Sequence, residues 1–112
     1  MAIKNIAVLV TAPAADLAMT QSALDKCNQL VSNGHHIDHI FFYFDAVLNA
    51  SPDAPLYKQW NAFSTEHQTP LIACSTLADN RELQSEEAGN FEFAGLSEFY
   101  TRLHQCNELV NA

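Results

Sequence analysis

The chain predicts an α/β domain in which one parallel β-sheet is flanked by helices. Three observations carry this. Ile6 to Val10 is continuously apolar, as in a central parallel strand covered on both faces. Strand-like runs alternate with segments of helical periodicity in the order β-α-β-α-β-α-β, the pattern of a sheet built by crossover connections. The length, 112 residues, suffices for one domain with one core, so residues 1–112 are expected to form a single domain.

Taken in order, Ile3 to Val10 reads as the first strand and Thr11-Ala12-Pro13 breaks it. A helix follows from about Ala15 to Ser32, with Leu17, Leu24, Cys27, Leu30 and Val31 as its apolar stripe and Asn33-Gly34 as its C-cap. Cys27, on that stripe, is expected in the core. His35-His36-Ile37-Asp38-His39 leads into a second strand ending on the aromatic run Ile40 to Phe44. Three histidines in five residues raise a metal reading, but no further Cys or carboxylate stands at recognisable ligand spacing. They are expected to be polar groups at the strand entry, and no metal site is expected.

Asp45 to Ala50 suits a short helical turn at the carboxyl end of the sheet, and Ser51-Pro52-Asp53-Ala54-Pro55 suits a loop. Leu56 to His67 reads as a helix with Trp60 packed on the sheet. Pro70 opens the short apolar strand Leu71 to Ala73, which Cys74 closes. Ser75 and Thr76 are N-cap types, so a helix should start directly after the thiol. Gly89-Asn90 is a turn and Phe91 to Phe93 a short extended piece. The last helix should begin in Gly95-Leu96-Ser97-Glu98 with Ser97 as N-cap, and Glu108-Leu109-Val110 could form a final strand. Leu96, Phe99, Tyr100, Leu103 and Cys106 form the apolar face of that helix, which places Cys106 in the core as well.

Cys74 is the candidate functional residue. In open α/β sheets the working groups gather beyond the carboxyl ends of the strands, where Thr11, Asp45 and Cys74 fall. A thiol at a strand-to-helix junction faces free backbone N–H groups and a helix dipole, both of which favour thiolate, the form that attacks sulfur. Arg81 could assist.

Composition excludes several classes. Thirteen acidic residues against five Lys and Arg give a net charge of −8, which argues against direct binding of nucleic acid. No apolar run approaches the ~20 residues of a membrane span. No export signal is visible at the start, so the cytoplasm is the expected compartment. Three widely spaced cysteines make neither a disulfide framework nor a C-x-x-C pair. Without G-x-G-x-x-G or a Walker A pattern, no cofactor is expected.

The segments Val8-Leu9-Val10-Thr11-Ala12-Pro13, Asn33-Gly34-His35, Phe41-Phe42-Tyr43-Phe44-Asp45-Ala46-Val47-Leu48-Asn49-Ala50, Leu71-Ile72-Ala73-Cys74 and Phe93-Ala94-Gly95-Leu96-Ser97-Glu98 resemble the DsrE family, and within it the TusD-like branch. The resemblance covers nearly the whole chain. It implies a DsrE-like, flavodoxin-like three-layer fold and a persulfide carried on the strand-ending cysteine, here Cys74. Tyr43 and Asn49 would line the neighbouring loop. It also implies an oligomer with TusB-like and TusC-like subunits, a TusA-like sulfur donor and a TusE-like acceptor, in the relay for 2-thiolation of tRNA wobble uridine. Sulfur oxidation of the DsrE type uses the same chemistry. A different class remains open: a non-catalytic subunit that holds an assembly through exposed Phe42, Phe44, Tyr57 and Trp60.

Overall fold

The structure, a computed structural model, describes residues 4–112. The expected start of the first strand at Ile3 lies outside them. Five strands form one parallel sheet: β1 (Asn5–Val10), β2 (His36–Phe42), β3 (Leu71–Cys74), β4 (Phe91–Ala94) and β5 (Glu108–Asn111), in the order β4-β3-β2-β1-β5. The helices are α1 (Leu17–Ser32), α2 (Tyr57–His67), α3 (Ser75–Asn80) and α4 (Leu96–Leu103), with 3-10 turns at Phe44–Ala50 and Ser85–Glu87.

The order dictates the layers. The chain steps from β1 through β4 in one direction, and right-handed crossovers then keep α1 and α2 on one face. The return from β4 to β5 runs the other way and puts α4 on the opposite face. Successive residues of β2 record both layers, because strand side chains alternate. Phe41 stacks on Phe99 of α4 with centroids 4.5 Å apart, while Phe42 meets Trp60 of α2 edge-on at 5.0 Å. Such aromatic pairs add about 1 kcal/mol each beyond the area they bury.

Several expectations are corrected. β2 ends at Phe42 rather than Phe44, because Phe44 takes a left-handed φ of 53° that turns the chain into the 3-10 turn. The last sheet bond there is Tyr43 N–H to Val10 O at 3.0 Å. The N-cap of α1 is Asp16, whose carboxylate accepts from Met19 N–H at 3.1 Å, and Leu17 at the helix start is exposed. Gly95, not Ser97, occupies the N-cap of α4. Phe42 and Trp60 are fully buried, so of the aromatics proposed for an exposed face only Phe44 is open, at 58%. Tyr57 is partly buried, its hydroxyl donating to Glu87 O at 2.7 Å. Cys106 lies beyond the end of α4 and is only half-buried, because the helix stops at Leu103 before the apolar stripe reaches it.

Candidate functional site at the carboxyl edge of the sheet

Thr11, Asp45 and Cys74 lie beyond or at the carboxyl ends of β1, β2 and β3, as expected. Cys74 is the last residue of β3, in register with Ala94 of β4. It is also the N-cap of α3, with φ −58° and ψ 119°, and its side chain makes no capping hydrogen bond. Ser75 and Thr76 are therefore inside the helix rather than capping it. The thiol stands where the strand ladder has ended and the first N–H groups of α3 have no partner within the helix. With six residues, α3 contributes only a small dipole, so those N–H groups matter more than the helix as a whole.

Sulfur exchange with another protein calls for an open thiol, and this one is not open. Cys74 is 4% exposed, because β3 is flanked by β2 and β4 and α3 folds back immediately after it. Arg81 is engaged elsewhere: its Nη2 and Nε donate to Asp45 Oδ1 at 2.6 and 3.2 Å, and its Nη1 to Leu77 O at 3.1 Å. The pair fastens the end of α3 to the turn that follows β2, so the two segments bordering Cys74 are held to each other. Asn49 is buried within that turn, its amide donating to Ala46 O at 2.9 Å. Tyr43 is partly buried and packs edge-on against Phe44 at 4.4 Å.

The other two thiols differ. Cys27 is fully buried on α1 as expected, and burial pushes its pKa up to about 12. The Cys106 thiol is also raised, first by burial and then by the charge of Asp38 and a hydrogen bond to it.

The histidines divide in a way that sequence reasoning missed. His36 is exposed, and His35 accepts from Lys4 N–H at 3.3 Å. His39 is not a strand-entry surface group: it is fully buried, with its ring edge-on to Phe99 at 5.7 Å. Its Nδ1 lies 2.7 Å from Asp38 Oδ2. Burial works to raise the Asp38 pKa, but the hydrogen bonds from His39 and Asn5 and the charges of His39 and Arg102 outweigh it, and the carboxyl is held below its ordinary value. Asp38, His39 and Cys106 bring one potential ligand atom each to within 4.8 Å of one another. No spacing in the chain announces this, because Cys106 reaches the pair only through the placement of β5 beside β1 and β1 beside β2.

The family model described as DsrE/DsrF-like matches residues 4–112. Relatives named Sulfurtransferase TusD come from several bacteria. That of Salmonella dublin is 33% identical over 94 residues, 77% of this chain and 73% of its own length. That of Proteus mirabilis is 30% identical over 92% of this chain and 94% of its own. That of Buchnera aphidicola subsp. Acyrthosiphon pisum is 26% identical over 95% and 98%. The crystal structure of the ychN protein from E. coli shares the fold, with a TM-score of 0.81 at 15% identity, covering 98% of this chain and all of that one.

Proposed function

The chain belongs to the DsrE/DsrF-like family, and from that premise we propose that it is a sulfurtransferase subunit that carries sulfur as a persulfide on Cys74. The observation supporting this most is the position of Cys74, at a strand end and at the N-cap of α3, where the first N–H groups have no partner within the helix and would stabilise a thiolate turned toward them. In the proposed step, the Cys74 thiolate attacks the outer sulfur of a donor persulfide. The donor's S–S bond breaks, the donor leaves as a thiolate, and Cys74 becomes Cys74–S–SH. An acceptor thiolate then attacks that outer sulfur and releases the Cys74 thiolate. Neither transfer needs a metal or an organic cofactor, and no net oxidation occurs. Because the thiol is 4% exposed, the donor must reach it by displacing α3 or the turn Phe44–Ala50.

The partners that fit this reading are TusB-like and TusC-like subunits, a TusA-like donor and a TusE-like acceptor, and the relay would serve tRNA 2-thiolation in the cytoplasm, where thiols stay reduced. With a net charge of −8 the chain would meet proteins rather than the tRNA itself. Exposed Leu96, Tyr100 and Leu109 would contribute to an oligomer interface. No helix among the described residues is long and apolar enough to cross a membrane.

The test is intact-mass spectrometry after incubation with a cysteine desulfurase and a carrier persulfide. Wild type should gain about 32 Da, one sulfur atom, and Cys74→Ser should not; equal gain by the variant would overturn the assignment. The low exposure of Cys74 favours a second reading, a subunit that organises an assembly without carrying sulfur. Under that reading neither protein gains mass.

A further inference from the structure

At the opposite end of the sheet from Cys74, the structure assigns a second site: we propose that Cys106, His39 and Asp38 bind one divalent transition-metal ion, best matched by Zn²⁺, with water in the fourth position. A thiolate sulfur, an imidazole nitrogen and a carboxylate oxygen are the donor types Zn²⁺ takes, and three protein ligands leave one place for solvent.

The geometry is close to what the ion needs. The three donor atoms lie within 4.8 Å of one another. Around tetrahedral zinc, with bonds of ~2.0–2.3 Å, donors stand roughly 3.3–3.8 Å apart. The widest separation must therefore close by about 1 Å, and the 2.7 Å Asp38–His39 contact must open by about half an ångström. Both ligand segments can give. Asp38 sits on a β-bulge, where the register with β1 slips between Ile6–Ile37 and Ala7–His39. Cys106 lies in the turn between α4 and β5, its Sγ only 3.5 Å from Arg102 O. The imidazole is already fixed: it is fully buried, set against Phe99, and its Nδ1 faces the carboxylate.

The surroundings contain polar groups left unmatched. Among the described residues, His39 Nε2 and Asn5 Oδ1 are buried without a hydrogen-bond partner; the ion would take Nδ1, the ring nitrogen that faces Asp38, and would leave both of these atoms as they are. Asn5 adjoins the cluster directly, its amide donating to Asp38 Oδ1 at 3.3 Å and to Gln105 O at 2.9 Å. It is placed to orient the carboxylate from outside the ligand shell. The Arg102 guanidinium is directed to Glu98 at 3.2 Å and Glu92 at 4.0 Å rather than to Asp38, whose direct partners are His39 and Asn5.

Charge also balances. The ion would displace the Cys106 proton, which leaves to solvent, and the thiolate and carboxylate together neutralise M²⁺. A neutral cluster is what a half-buried location tolerates. The ion would tie the entry of β5 to β2 across β1. It would not act on Cys74, because the strand between His39 and the carboxyl edge spans roughly 10 Å.

Co²⁺ is the probe, added to the full-length chain after treatment with a chelator. Wild type and Cys74→Ser should each bind one equivalent, with visible bands of tetrahedral Co²⁺ and a near-ultraviolet thiolate-to-metal band, all removed by one equivalent of Zn²⁺. Cys106→Ser, a conservative change at a half-buried position, should lose the thiolate band and at least about tenfold in affinity, with its circular dichroism unchanged. Asp38→Asn should keep the thiolate band and weaken binding. The absence of a thiolate band at one equivalent in wild type would overturn the site. So would a band that survives Cys106→Ser or disappears in Cys74→Ser.

Discussion

The two ends of this sheet hold a cysteine each, in opposite circumstances. At the carboxyl end, Cys74 closes β3 and is the N-cap of α3, whose first N–H groups have no partner within the helix, while the nearby Arg81–Asp45 pair is neutral as a unit. At the amino end, Cys106 precedes β5 beside the Asp38 carboxylate, and burial first, then that charge and a hydrogen bond to it, raise its pKa. Cys27, inside α1, belongs to neither end and shows what burial alone does to a thiol. The contrast teaches that exposure alone does not sort these cysteines: the half-buried one stands beside a negative charge, while the almost fully buried one stands at the start of a helix. What surrounds the sulfur decides which chemistry it can enter.

Relative thiol reactivity breaks or upholds that contrast with the largest expected effect. At pH 8 a thiol with a pKa of about 12 carries roughly a thousandfold less thiolate than an ordinary one, so Cys27 should resist alkylation in the folded state. Site-resolved labelling with iodoacetamide should mark Cys74 first, Cys106 later and Cys27 last. Labelling of Cys74 as slow as that of Cys27 would erase the distinction between them.

A smaller effect concerns stability in base. The folded-state pKa of Cys27 is raised from 9.0, so the unfolded chain ionises first as pH rises. The stabilisation from keeping this thiol neutral is complete below pH 9 and is lost between pH 9 and about 12, by ~1.4 kcal/mol per pH unit. Urea unfolding across that range should show a shallower pH slope in Cys27→Ala than in wild type. Equal slopes would place the thiol in a less apolar setting than α1 provides.

The smallest effect lies at the amino end. Asp38→Asn removes the charge that helps raise the Cys106 pKa, although burial remains the first cause. Its alkylation at pH 8, measured without metal, should speed up by about severalfold, with Cys74 unaffected. An unchanged Cys106 rate would mean the carboxylate has no hold on that thiol.

How much of this could be read from the chain depended on whether a residue's neighbours in space were also its neighbours in sequence. Ile6–Val10 and Leu71–Cys74 announced strands through local apolar runs, and both are central in the sheet. The position of Cys74 followed from the same local signal. Its low exposure did not, because it depends on β4 lying alongside β3 and on how tightly α3 folds back. The aromatic run Ile40–Phe44 kept its β-favouring composition past the true strand end, since the left-handed turn at Phe44 leaves no trace in residue type. Helical spacing extended the apolar stripe of α4 to Cys106, past a helix that ends at Leu103. Asp38, His39 and Cys106 could not be grouped from spacing, because only the register of β2, β1 and β5 brings them together.

Peptide-resolved mass spectrometry of the wild-type protein, sulfurated by a carrier persulfide and blocked by alkylation without reduction, tests the central claim most directly. The added sulfur should map to the peptide containing Cys74 and leave it when an acceptor thiol is supplied. Sulfur found on Cys106 or Cys27, or on none of the three, would contradict it.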